Sequence, residues 1–238
     1  MVNQLFIEEK PNVKIEDVLF DESRRLQFSN LIKEYRHIDV LSKYNLPINN
    51  KVLLHGKTGC GKTMTAKALA NHLDKKLVSV NLGTVVSSKL GETSKNLTSI
   101  FKKASREKAV LFLDEFDSLG KIRDYDRDSG EMKRVVNTLL QLIDYMGNDT
   151  ILVAATNQIQ MIDEALLRRF ELRMEYTVPT KALLNTYYDM LLSAFPTEFT
   201  TIDKIYNISF AEAKNNVLLQ VKQNIILAEE SKLILNTL

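Results

Sequence analysis

The chain has 238 residues, 45% of them hydrophobic and 26% charged, with 32 basic against 30 acidic side chains and a formal charge of +2. That balance excludes the fibrous and disordered classes, and the interspersed charge lacks the basic stripe of a dedicated nucleic-acid binder. One cysteine excludes an intrachain disulfide framework and a cysteine-built zinc or iron–sulfur centre. The longest apolar runs, such as Ala109 to Leu113 and Ile151 to Ala155, fall far short of the roughly 20 residues of a membrane span. No basic segment leads into an apolar stretch at the N-terminus, so no secretory signal is expected and the cytoplasm is the expected location. The length is expected to hold one large domain, or a core with a small satellite.

The eight glycines and four prolines are few, so long regular elements with few loops are expected. Three of those glycines, Gly56, Gly59 and Gly61, crowd into six residues between a short apolar run, Val52 to Leu54, and a helical stretch from Lys62 to Leu73. That order predicts strand, sharp loop, helix. Leu77 to Val80, Ala109 to Leu113 and Ile151 to Ala155 are too short for buried helices and read as buried parallel strands. Between them Leu97, Ile100, Phe101 and Ala104 form one helical face, and Met132, Val135, Val136, Leu139, Ile143 and Met146 form another. Alternating βα units predict an α/β fold with a doubly wound parallel sheet. In Glu171 to Tyr176, Leu172, Met174 and Tyr176 alternate with charged residues, as in a half-exposed edge strand. From Pro179 onward only helical patterns remain, at Thr180 to Phe195, Thr201 to Asn207 and Ser209 to about Glu230. Residues 1–178 are therefore expected to form an α/β domain with a short N-terminal segment, and 179–238 a small all-helical domain.

The glycine cluster reads GKTGCGKT and matches G-x-x-x-x-G-K-[ST] in the strand–loop–helix setting that the motif requires. Such a loop turns backbone N–H groups toward phosphate oxygens, and the helix N-terminus adds partial positive charge. Gly56, Lys57, Thr58, Gly59, Cys60, Gly61, Lys62, Thr63 and Met64 are the expected nucleotide contacts. Lys62 brings its charge to the β- and γ-phosphates, and the Thr63 hydroxyl ligates Mg²⁺. Cys60 reads as a small filler, with a lowered thiol pKa as the alternative. A second acid for the metal is expected at the end of a neighbouring strand, and VLFLDE supplies Asp114. Glu115, one residue on, is the candidate for polarising the attacking water. Asp117 is expected to cap or pair rather than catalyse. Asn157, after the strand ending at Ala155, stands on the ligand-binding edge of an open sheet and is expected to orient water or touch the γ-phosphate.

With these residues in order, the chain resembles the AAA ATPase family, in particular bacterial single-module members, from about Val13 to about Glu230. GKTGCGKT resembles Walker A, VLFLDEFD Walker B, AATN (Ala154 to Asn157) sensor 1, and DEALLRRFE (Asp163 to Glu171) the arginine-finger segment. The resemblance implies that Arg168 and Arg169 reach a neighbouring subunit's nucleotide site, which makes the active form a homo-oligomeric ring, a hexamer in the family, with a protein substrate or partner. It also implies that Asp17 and Val18, in Val13 to Leu19, contact adenine, and that Ser209 to Glu212 is the lid segment facing the nucleotide. SSKLGET, Ser87 to Thr93, resembles the first pore loop, but with Lys89 and Leu90 where an aromatic usually precedes the aliphatic residue, which puts threading in question. Asp124 to Glu131 is a candidate second pore loop. About a dozen residues precede the module, so no N-terminal recognition domain is expected. Two other readings share the nucleotide motifs: a helicase or clamp-loader-type ATPase acting on DNA machinery, and an ATP-gated scaffold with negligible turnover. Near-neutral composition argues against nucleic acid, and the paired Asp114 and Glu115 argue against a pure switch.

Overall fold

The computed structural model describes residues 5–87, 90–121 and 129–235. Lys89 of the candidate first pore loop, and Asp124 to Asp128 of the second, lie outside these residues. The contacts group the chain into two compact units, one of Met1–Gly56 with Lys62–Tyr176, the other of Lys57–Gly61 with Thr177–Leu238.

The first unit holds six strands: β1 (Ile7–Glu9), β2 (Lys51–Gly56), β3 (Leu77–Asn81), β4 (Val110–Asp114), β5 (Ile151–Thr156) and β6 (Leu172–Tyr176). They form one sheet in the order β1-β3-β4-β5-β2-β6, parallel throughout except for β1, which runs antiparallel to β3. Its helices are α1 (Glu22–Arg36), α2 (Ile38–Lys43), α3 (Lys62–His72), α4 (Leu82–Ser87), α5 (Leu90–Arg106), α6 (Ser118–Lys121), α7 (Ser129–Asp144) and α8 (Glu164–Leu167). The apolar strand runs are buried because helices cover both faces, as a parallel sheet requires. Successive strand residues point to opposite faces: Leu53, Leu111, Leu113, Leu152 and Ala154 join the cluster that α5 and α7 complete, while Val52, Leu54, Phe112 and Val153 are buried on the other side. Helix α3 packs against β3, β4 and β5. Of the helical faces expected from periodicity, Leu97, Ile100, Phe101, Ala104, Val135, Val136, Leu139 and Ile143 are all buried. Strand β6 is the half-exposed edge that its alternation predicts, with Met174 and Tyr176 buried and Arg173 and Glu175 exposed.

Strand β1 was not legible in the sequence, because its three residues show no apolar alternation. Charge attaches it instead. Glu8 bridges Lys76 at 2.6 Å and Lys103 at 2.7 Å, and Glu107 bonds the same two lysines, closing a four-membered ring of alternating sign. Glu9 pairs with Lys67 and Lys10 with Asp74, and the Lys103 ammonium stands 5.5 Å from the centre of the Phe6 ring.

In the second unit α9 (Lys181–Leu192) and α10 (Phe210–Leu235) enclose a small core of Leu184, Tyr188, Ala213, Val217 and Val221. The helix expected over Thr201 to Asn207 does not form; that stretch runs without regular structure. Side chains from the two helices take over its backbone groups. Tyr188 Oη donates to the Ile205 carbonyl at 2.7 Å and accepts from its N–H at 3.1 Å, Gln220 Oε1 accepts from the Asp203 N–H, and Asn224 donates to the Thr201 carbonyl. Local side-chain bonds of this kind compete directly with a helical ladder. Among the described residues, no helix is long and apolar enough to cross a membrane.

The two lysines hold the Glu8 carboxyl down at about 2, against an ordinary 4.5. A carboxylate depressed on folding contributes its stabilisation above the unfolded value and loses it as pH falls through the folded one. Protection of the Ile7–Glu9 amides from hydrogen exchange should therefore drop severalfold as pH falls from about 5 toward about 2. Glu8→Gln at neutral pH should produce the same drop while the β5 amides keep theirs. Equal loss in β1 and β5 would show that the ion-pair ring does not hold this strand separately.

Candidate functional site

Parallel pairing brings the carboxyl ends of β4, β5 and β2 to one edge of the sheet in that order, which is where open α/β sheets bind ligands. Strand β2 ends at Gly56 with φ of 122°, and a Cβ there would stand 2.2 Å from the Tyr176 carbonyl oxygen of β6. No other residue fits that approach. The loop passes through Gly59 at φ 75° and Gly61 at φ 103° before α3 begins at Lys62.

Within the first unit, Lys62 is buried and its Nζ donates to the Gly56 carbonyl at 2.6 Å and to Asn157 Oδ1 at 2.8 Å. The candidate phosphate lysine and the candidate sensor thus meet directly. Thr63 and Met64 are exposed on the first turn of α3. Two residues further, Thr65 shares a buried 2.7 Å hydrogen bond with the Tyr176 hydroxyl, over whose ring the buried Arg24 guanidinium stacks at 5.0 Å. Tyr176 therefore touches both ends of the loop, through its carbonyl at Gly56 and its hydroxyl at α3.

Asp114 closes β4 half-buried, and Glu115 follows it exposed, at φ 53°. Positive φ is costly for a side chain of this size, and the Glu115 N–H donates to Asp114 Oδ1 at 2.9 Å. Burial pushes the Asp114 carboxyl above its ordinary range, with the Glu115 charge adding to that and the backbone bond and Lys62 opposing it. Asp117 is buried and accepts from Thr156 Oγ1 at 2.9 Å, while Thr156 Oγ1 accepts from the Gln158 N–H and so fixes the turn that presents Asn157.

Asp17 ends a short 3₁₀ turn, Ile15–Asp17, that packs on α3. Its carboxylate accepts from the Lys14 N–H at 2.8 Å, and Val18 beside it is buried. The two arginines differ. Arg168 caps α8 with an exposed side chain whose ion pair is with Glu164, four residues back. Arg169 is clamped: Nε and Nη2 reach the two Asp144 oxygens at the end of α7 at 3.1 and 3.2 Å, and Nη1 donates to the Ala165 carbonyl at 3.0 Å. Sequence reading missed Asp144, for a pairing across 25 positions leaves no local signal. It also missed Gly83, although a glycine inside a helix, costing about 1 kcal/mol against alanine, is itself a sign of close approach.

In the second unit, Lys57 and Thr58 are exposed and Cys60 is buried with Sγ 3.7 Å from the Thr58 carbonyl, as a filler would be. The Ala211 N–H donates to the Gly59 carbonyl at 3.1 Å. A Cβ on Gly59 would stand 2.8 Å from Ser209 Oγ and 2.9 Å from Ala211 Cβ. Ser209 and Glu212 form a reciprocal cap at the start of α10: Ser209 Oγ accepts from the Glu212 N–H, and Glu212 Oε2 accepts from the Ser209 N–H and hydroxyl. Those bonds hold the Glu212 carboxyl below its ordinary range.

Residues 52–178 match the family model described as "ATPase family associated with various cellular activities (AAA)". The chain is 33% identical over 220 residues, 91% of its own length, to "Uncharacterized AAA family ATPase y4kL" of Sinorhizobium fredii, and covers 67% of that protein. It is 29% identical over 193 residues, 78% of its length, to "Putative 26S proteasome regulatory subunit homolog" of Methanothermobacter thermautotrophicus, covering 51% of it. It is 35% identical over 175 residues, 72% of its length, to "Cell division cycle protein 48 homolog" of Archaeoglobus fulgidus, covering 24% of it. The chain thus spans two thirds of the first relative and about a half and a quarter of the other two. The matched segment runs from β2 through β6, carrying the glycine loop, the paired acids and the Asn157 turn, and the chain belongs to the AAA family of P-loop ATPases.

Proposed function

We propose that the chain hydrolyses ATP with Mg²⁺ as one subunit of a homo-oligomeric ring, a hexamer, and couples turnover to remodelling or unfolding a protein partner in the cytoplasm. The meeting of Lys62 Nζ with Asn157 Oδ1 at 2.8 Å, one strand away from Asp114 and Glu115, is the observation that carries this reading. Lys62 brings charge to the β- and γ-phosphates, and the loop from Gly56 to Met64 holds them through backbone N–H groups. Asp17 and Val18 take the adenine. Residues 1–178 form the nucleotide-binding domain and 179–238 its helical lid. The donors suit Mg²⁺: the Thr63 hydroxyl and Asp114 carboxylate are hard oxygens, few enough for an ion that keeps most of its waters. Burial that disfavours the Asp114 anion is relieved by a cation beside it. When bound, the ion supplies charge neutralisation at the phosphates. Glu115 accepts a proton from the attacking water and Asn157 orients that water.

Two relatives bear names, proteasome regulatory subunit homolog and cell division cycle protein 48 homolog, that support a protein-handling role. The contrast between the arginines supports a division of labour. Arg168, exposed beside Glu164, is the finger for a neighbouring subunit, and Arg169, held by Asp144, positions the segment that carries it.

Glu115→Gln should bind ATP with unchanged affinity and lose about 10² to 10⁴ in turnover; wild-type turnover would remove Glu115 from the mechanism. A Cβ on Gly83, at the start of α4, would stand 2.6 Å from Glu115 Oε2 and 3.1 Å from Asn81 Oδ1. The carboxylate must move if one is added. Gly83→Ala should accordingly lower kcat severalfold at constant nucleotide Kd, and an unchanged kcat would mean that the observed placement of Glu115 is not the working one. Arg168→Ala subunits should lose about 10³ to 10⁵ in rate alone and regain activity when mixed with Lys62→Ala subunits. No recovery at any ratio would exclude a finger acting across subunits.

A further inference from the structure

Helix α10 is apolar on two opposite sides, and its core uses only one of them. Ala213, Val217 and Val221 are buried against α9, with Phe210 and Ile225 packed beside them. At about 100° per residue, Ile226 stands on the far side from Val217, and there Leu219, Ile226 and Leu233 recur at seven-residue intervals with exposures of 58%, 46% and 68%. Leu218 and Leu227, nine residues apart, are also exposed, one on each flank of this line. Single exposed aliphatics are ordinary surface; a line of three recurring every seven residues on one helix, flanked on both sides, is an interaction surface. A seven-residue repeat keeps such a stripe facing a second helix.

Charge indicates which helix. Lys222 and Glu230 are exposed four residues to either side of Ile226. In a parallel pairing of two copies each would face its own like charge. In an antiparallel pairing centred on Ile226, every residue meets the one equally far beyond the centre. Lys222 then meets Glu230 twice, Leu219 meets Leu233 twice, and Ile226 meets itself. Glu229 is already paired with Lys232 of its own helix at 2.7 Å and brings no uncompensated charge. Self-complementarity of this kind is the signature of a twofold contact.

We propose that this face of α10 binds the same face of a second copy of the chain, antiparallel about Ile226. The contact joins copies pairwise, is separate from the head-to-tail contacts of a ring, and does not rest on the nucleotide chemistry.

The test uses the full chain without nucleotide. Ile226→Cys should give disulfide-linked dimers under mild oxidation, whereas the wild-type chain, with Cys60 buried, should not. Leu219→Cys and Leu233→Cys should each fail to cross-link alone and should cross-link when mixed. In sedimentation equilibrium, Lys222→Glu should weaken pairing about tenfold, as like charges then oppose, and adding Glu230→Lys in the same chain should restore it. Cross-linking of Leu219→Cys with itself as fast as in the mixture would overturn the antiparallel register. Absence of both the Ile226→Cys dimer and any sedimentation change would overturn self-pairing and assign the face to a different partner.

Discussion

β5 lies between β4 and β2 and runs parallel to both, and this adjacency delivers the paired acids, the Asn157 turn and the glycine loop to one edge of the sheet. Residues about 40 to 100 positions apart in the chain become neighbours without any of them having to search for the others. Strands β2, β3, β4 and β5 each carry a run buried on both faces, so a register slip would expose aliphatic surface on one side or leave a hole on the other. The chemistry is therefore positioned by hydrophobic burial, and the polar groups only adjust the final placement.

Those adjustments concentrate on two residues, Tyr176 outside the familiar motifs and Thr156 within the Ala154 to Asn157 stretch. Tyr176 ends the edge strand with its carbonyl against Gly56 and its hydroxyl on Thr65. It braces the strand that enters the loop and the helix that leaves it. Thr156 joins the end of β5 to Asp117 and to the Gln158 N–H, so a buried acid that does no proposed chemistry nevertheless shapes the turn holding Asn157. In both cases a buried polar group is fully bonded, which is what makes it a rigid support rather than a cost.

The parallel strands, their helices and the sharp glycine loop were legible because each rests on a local pattern: short apolar runs, a 3.6-residue period, glycines at fixed offsets. Glu115 was legible as a position but not in its strained backbone or its closeness to Gly83, since both depend on where β3 and β4 lie beside each other. Strand β1 was hidden because ion pairs with residues about 60 to 95 positions away attach it, and no composition rule marks Glu8 and Lys103 as partners. Thr201 to Asn207 reads as helix by local preference; Tyr188, Gln220 and Asn224 outbid the helical ladder from elsewhere in the fold. The unequal fates of Arg168 and Arg169 likewise follow from Asp144, which their own segment cannot reveal.

The bonds that Lys62 makes to the Gly56 carbonyl and Asn157 have a thermodynamic corollary. On the nucleotide reading proposed above, a polyphosphate at this ammonium would replace existing oxygen partners instead of finding a bare cation, and part of the gross attraction would be offset by what is given up. In the ATPase cycle proposed above, a cation already engaged by oxygen partners would favour release over retention.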